Sequence, residues 1–320
     1  MIPTLENTPA TIPSTLHRPM DSLKKIPPVF ARHETFHPRF GWLKKGFDKA
    51  CEDPQIFSRD DAPVTLGVGK NMVKAIRYWC KAYKILDDAT GVFLPTPFGE
   101  ALLGKDKWDP FLEDSGSLWL LHWNLLKPPS YATAWHLIFN GSRQMEFTQP
   151  DLLQMLNEGV QKDFPDHKIN ESSLNKDVNC LLRMYVRQSP NKMSEETLDC
   201  PFAELSLILH TGGNHYAFHS GQKPGLLPEI IVAACLEFAA NQEEQTRTIS
   251  IFRLLYEIGS PGLVFKLTES VLYHAIEQVS KKFTSIALSD TAGLIQFSFA
   301  ENPETLANDI LESYYHIRRN

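Results

Sequence analysis

The chain has 320 residues, 42% of them hydrophobic, which is enough for two or three compact units, and a formal net charge of −6 that argues against general affinity for nucleic acid. No run approaches the ~18 apolar residues of a membrane span and no apolar stretch of signal-peptide length opens the chain, so a soluble, cytoplasmic protein is expected. The five cysteines, Cys51, Cys80, Cys180, Cys200 and Cys235, are odd in number and widely spaced, which suits reduced residues in apolar surroundings better than a disulfide frame or a zinc knuckle.

Residues 1–28 carry six prolines and little periodic hydrophobicity and read as a flexible arm. The segment from Val29 to Phe57 follows. Phe40, Leu43 and Phe47 give it a helical apolar edge, Gly41 and Gly46 permit close backbone approach, and Lys44, Lys45 and Lys49 make it basic. Asp60 and Asp61 begin a connection to a helix expected over residues 68–86. At about 100° per residue, Lys70, Lys74, Arg77, Lys81 and Lys84 fall within roughly 80° of arc, and Met72, Val73, Ile76, Trp79, Cys80 and Tyr83 occupy another. No acidic residue lies within that helix to neutralise the stripe. Asp87, Asp88 and Gly91 then turn the chain into Val92, Phe93 and Leu94, so a recognition helix followed by a hairpin is expected. Residues 32–84 hold eleven Arg/Lys against six Asp/Glu, net +5, leaving −11 for the rest. A polyanion would therefore be held locally, at this N-terminal unit.

A short helix after Thr96 and an apolar helix from Ser115 or Ser117 to Leu126, with Trp119, Leu120 and Trp123 on a buried edge, are expected to tie this unit to the next. A further helix follows Pro128 and Pro129 and stops at Asn140-Gly141. Thr148 is the expected N-cap of the following helix, with Pro150 in its first turn, and Leu174, Val178, Leu181, Leu182 and Tyr185 share one side of another. Two short runs flanking Gly212-Gly213 make a hairpin. Helix, helix and hairpin recur after Pro228, ending in two β-rich runs around Asp290 to Gly293. The expected fold is mainly α with short β-hairpins, in tandem winged-helix-like units over residues 29–141, 142–225 and 226–320.

His33-Glu34-Thr35-Phe36-His37 matches the H-E-x-x-H zinc pattern, but Pro38 disfavours helical geometry and no long apolar face follows, so a hydrogen-bonded cluster fixing the loop is the better reading. Phosphodiester cleavage needs a metal ligand, a base and cations on the phosphate. Glu34, His33 and His37 can supply the first two, and Arg32, Arg39, Lys44 and Lys45 the third. His210, His215 and His219 read as surface residues of a hairpin, and Gly67-x-Gly69-Lys70 as a turn rather than a nucleotide loop.

The runs FARHETFHPRFGWLKKGFDKA and VTLGVGKNMVKAIRYWCKAYKIL, then TPFGEALLG, WDPFLEDSGSLWLLHWNLL, CPFAELSLI and PGLLPEIIVAACLEF, resemble the SspB family, long catalogued as a domain of unknown function. The resemblance covers roughly Pro28 to the C-terminus. It implies a DNA nickase of the Ssp system, which places phosphorothioate links in single DNA strands. It further implies partnership with a cysteine desulfurase, a P-loop ATPase and an ATP-pyrophosphatase-like sulfur-transfer protein, and a part in phage defence. The stretches Arg32 to Lys45 and Gly67 to Lys84 match the family.

The residues themselves then suggest these roles. Lys70, Asn71, Lys74, Arg77, Lys81 and Lys84, with Arg32, Lys44, Lys45 and Lys49, would hold DNA. His33, Glu34, His37 and Arg39 would sit at the strand to be nicked, with Glu34 and His37 as ligands of Mg²⁺ or Mn²⁺. The alternative is a DNA-binding adaptor or transcriptional regulator without catalysis, for which the same lysines suffice and the histidines are structural.

Overall fold

The N-terminal elements follow the expected order: α1 (Trp42–Glu52), a short 3-10 turn, α2 (Ala62–Leu66), α3 (Lys70–Ala82), β1 (Leu86–Ala89) and β2 (Val92–Pro95). The computed structural model describes residues 26–142, 145–187, 200–242, 247–291 and 293–319, so the expected arm lies outside the described residues as far as residue 25. α2 stops at Gly67, whose φ of 61° is the left-handed C-cap that glycine accommodates. Gly46 lets α1 and α3 touch: a Cβ there would lie 2.5 Å from Cys80 Sγ and 2.8 Å from Ile76 Cγ2. β1 and β2 pair through a tight turn with Thr90 and Gly91 both at positive φ.

α3 is shorter than its periodicity suggests. The Ile85 amide reaches back to the Cys80 carbonyl at 2.9 Å and the Lys84 amide to Lys81 at 2.9 Å, which closes the helix in a Schellman motif. Lys84 occupies the left-handed position of that motif, at φ 56°, where glycine is usual. Its ammonium offsets the strain by donating to the carbonyls of Asn124 (2.9 Å) and Lys127 (2.6 Å), at the end of the next long helix.

That helix, α5 (Ser115–Leu126), follows the short α4 (Pro97–Leu103) and is capped by Asp114. A single buried edge was the expectation, yet every residue from Gly116 to Leu126 is buried. Its polar side chains reach far along the chain: Ser117 Oγ lies 2.8 Å from the Tyr315 hydroxyl, and His122 bonds the Tyr185 hydroxyl (2.7 Å) and the Val264 carbonyl (3.0 Å). Burial pushes the His122 pKa down to about 3, so the ring is neutral. α5 is thus enclosed on every side.

Next come α6 (Thr133–Gly141), β3 (Glu146–Thr148), α7 (Gln149–Asp163), α8 (Glu171–Tyr185), β4 (Ile208–Gly212) and β5 (His215–Phe218). Thr148 caps α7 in a reciprocal capping box with Asp151, and Leu174, Val178, Leu181, Leu182 and Tyr185 are buried along α8. The last third holds α9 (Pro228–Ala240), β6 (Thr248–Ser250), α10 (Ile251–Tyr256), α11 (Pro261–Phe265), α12 (Glu269–Ser280), β7 (Ile286–Thr291), β8 (Leu294–Phe299) and α13 (Pro303–Arg319). Each later hairpin gains a strand from the short run ahead of its first helix, giving antiparallel sheets of order β3-β5-β4 and β6-β8-β7. The fold is thus mainly helical with small antiparallel sheets. One apolar cluster runs from Trp42 to Tyr315. Among the described residues no helix is long and apolar enough to cross a membrane. Cys80, Cys180, Cys200 and Cys235 are buried and free, whereas Cys51 is exposed.

Candidate nucleic-acid interface

The turn over residues 31–36 lies beside the basic helix α3. Lys74 Nζ sits 3.3 Å from Glu34 Oε1, and the Trp79 indole donates to the Phe36 carbonyl at 3.0 Å. Ala31, Glu34 and Thr35 have φ of 55°, 51° and 68°, so this is a tight turn and not the helix that a zinc protease motif requires. α8 closes its other side: the Asp177 carboxylate accepts from the Ala31 amide (3.0 Å) and pairs with His33 Nε2 at 2.6 Å, and Arg183 Nη2 donates to the Thr35 carbonyl at 2.7 Å. His33 is fully buried, stacked on Trp79 and edge-on to Trp135 of α6. Burial raises the Asp177 pKa, and the His33 bond works against that rise.

These placements sort the candidate residues. Lys70, Asn71 and Arg77 are exposed on α3, and among the described residues none of the three has a partner. Lys74 and Lys81 share their stripe, but tertiary partners neutralise them in part: Glu34 for one, Asp88 at 3.3 Å for the other, with Lys81 also 4.8 Å from the centre of the Tyr131 ring. The absence of acids within the helix therefore did not leave the whole stripe unpaired. Such half-exposed surface pairs are worth only about 0–1 kcal/mol, so a phosphate competes with them easily. Lys84 departs from the stripe altogether, because its ammonium is sunk between the carbonyls that end α5. Burial, reinforced by Lys127, holds its pKa well below the ordinary lysine value.

On α1, Lys44 is committed to Asp48 (2.6 Å) and the Leu103 carbonyl (3.2 Å), and Lys49 pairs with Glu52 (2.6 Å). Lys45 is half-buried and Arg32 exposed, each without a partner among the described residues. The Arg39 guanidinium lies 5.4 Å from the Trp42 ring and 5.9 Å from that of Phe36.

As metal ligands, Glu34 and His37 do not form a ready set with His33. Both imidazoles are buried, His33 Nε2 is taken by Asp177, and Glu34 faces Lys74. Among the described residues no three His, Cys, Asp or Glu side chains come together as a cation site. His210 and His215 are exposed on the β4–β5 hairpin, where His210 Nε2 lies 2.9 Å from the Gly213 carbonyl.

Residues 30–315 match the model of a family described as a protein of unknown function, DUF4007. Two solved structures described as SspB are close in fold and sequence. One, a magnesium ion-bound SspB crystal structure, has a TM-score of 0.83 and 39% identity, covering 90% of this chain and 88% of that one. The other, an SspB crystal structure, has a TM-score of 0.82 and 40% identity over the same shares. The chain belongs to the SspB family. No curated protein matches it.

For this SspB-family chain the residues that sequence reasoning missed are Asp177 and Arg183, which hold the turn from the side opposite α3. Asp177 carried a signal: it occupies the same helical phase as Leu174, Val178 and Leu181, where a carboxylate is out of place unless paired. Arg183 carried none, since its partner is a backbone carbonyl far away in sequence.

Proposed function

We propose that this protein is the DNA-contacting component of a phosphorothioate modification and defence system and nicks one strand of the duplex so that sulfur can be incorporated. The helix, turn, helix and hairpin from α1 to β2 act as a winged helix that holds phosphates through Lys70, Lys74, Arg77 and Lys81. The units 29–141, 142–225 and 226–320 are three tandem variations on that plan, and the shared strand orders of the two later sheets support this. The observation that carries the reading is the contact of Glu34 with Lys74, which brings the 31–36 turn and the cationic helix to one surface. Within it Glu34 is the carboxylate nearest the bound backbone, Arg32 and Lys45 add unpaired positive charge, and His33 and His37 keep the turn in shape. The family suggests a P-loop ATPase, an ATP-pyrophosphatase-like sulfur-transfer protein and a cysteine desulfurase as partners.

Relaxation of supercoiled plasmid tests the reading. Magnesium is the first divalent ion to add, because one SspB structure is described as binding it. The wild type is expected to nick, and Glu34→Ala to lose nicking while still binding DNA. Burial of both histidines favours a second reading, a DNA-binding adaptor in which they are purely structural. Binding with no nicking under any divalent ion would establish the adaptor.

A further inference from the structure

α8 stands to the second hairpin as α3 stands to the first, and both helices grip the same turn, α3 through Lys74 and Glu34, α8 through Arg183 and the Thr35 carbonyl. Their outward faces differ in chemistry. Where α3 presents amines, α8 presents the amides of Asn175 and Asn179, one helical turn apart, running toward the guanidinium of Arg183. Each asparagine spends one amide hydrogen on its own helix, Asn175 on the Glu171 carbonyl (3.2 Å) and Asn179 on the Asn175 carbonyl (2.8 Å). The second amide hydrogen of each remains. The side-chain Oδ1 of Asn175 also has no partner among the described residues, while Gln149 Nε2 at the start of α7 donates to the Oδ1 of Asn179 at 3.3 Å.

Asparagine is among the weaker helix formers, and neither of these side chains lies in the core, so neither propensity nor packing accounts for two of them one turn apart. A donor beside an acceptor on one planar amide fits the N6 and N7 edge of adenine in the major groove, and a guanidinium fits guanine. A lysine ammonium on phosphate carries no such information.

We propose that α8 reads base edges in the major groove of the duplex whose phosphates α3 holds, with Asn175 and Asn179 as the specificity-determining residues. The inference rests on the DNA-binding reading of α3. The 31–36 turn, fastened to both helices, fixes the spacing between the phosphate contacts and the base contacts.

Selection from a pool of randomised duplexes tests it, using the full-length wild type, Asn175→Ala/Asn179→Ala and Lys74→Ala/Arg77→Ala. Alanine at these two α8 positions favours the helix, so a loss is not one of folding. The wild type is expected to enrich a motif with at least one base preferred roughly ten- to a hundredfold. The asparagine variant is expected to bind bulk duplex within about twofold of wild type, with the same salt slope, and to lose that preference. The lysine variant is expected to bind every sequence more weakly and to keep the motif. A wild type that enriches no motif, or an asparagine variant that keeps it, overturns the role of α8 and leaves that of α3 standing. A wild type that binds no duplex overturns both.

Discussion

Asp177 links α8 to the 31–36 turn through one carboxylate that is 1% exposed, accepting from the Ala31 amide at 3.0 and 3.2 Å and pairing with His33 at 2.6 Å. Asp177→Ala leaves the buried His33 ring and the half-buried Ala31 amide without their acceptor. At about 1–3 kcal/mol for each unpaired group, the loss is about 2–6 kcal/mol of unfolding free energy. Asp177→Asn keeps one acceptor oxygen in place and should cost about 1–2 kcal/mol. Urea unfolding with an unchanged m-value measures both. Amide exchange at Ala31 and Phe36, the latter bonded to the His33 carbonyl at 2.9 Å, then tells whether the turn opens ahead of the rest. Because His33 and Asp177 share one interaction, His33→Ala combined with Asp177→Ala should cost less than the two single changes added together. An Asp177→Ala protein within about 0.5 kcal/mol of wild type, the range of an ordinary surface change, would refute the argument. So would strict additivity in the double variant.

Lys84→Met should destabilise the fold by about 2–4 kcal/mol, since the carbonyls of Asn124 and Lys127 lose their donor. Its DNA affinity at a temperature where it is folded should match wild type, and a weakened affinity there would return Lys84 to the interface. Lys223 and Lys266 are pushed down to about 7 by burial, Lys266 further by the Lys223 charge, while the unfolded chain titrates near the ordinary value of ~10.4. Between those values the unfolded state holds more protons, so stability rises with pH, by at most about 1.4 kcal/mol per unit for each lysine. The stability of wild type relative to Lys266→Met should accordingly grow from pH 7 to pH 9 in urea unfolding, and a flat or falling difference would contradict the assignment.

What the sequence disclosed was what depends on near neighbours. Thr148 with Pro150, Pro228 at the head of α9 and Gly212-Gly213 at the turn of the β4–β5 hairpin are signals a few residues wide, and each element stands where they place it. The cationic arc of α3 follows from helical geometry alone. The fate of its members depends on what packs nearby: Lys84 bonds carbonyls of a later helix, and Glu34 reaches Lys74 across a turn whose left-handed residues no propensity marks. H-E-x-x-H spacing is visible in a sequence, but burial of both rings is not, because His33 is enclosed by aromatic residues from α3 and α6. β3 and β6, three residues each, are too short to show an alternating pattern, and α5 hides its complete burial by mixing Ser117, His122 and Asn124 among its apolar residues.

The salt dependence of duplex DNA binding, wild type against Lys74→Ala/Arg77→Ala, addresses the cationic surface of α3 most directly. Each lost phosphate contact should reduce the slope of log K against log salt by about 0.9, hence by nearly two for the pair, with weaker binding to every sequence. A double variant that keeps the wild-type slope would show that the exposed face of α3 holds no phosphates.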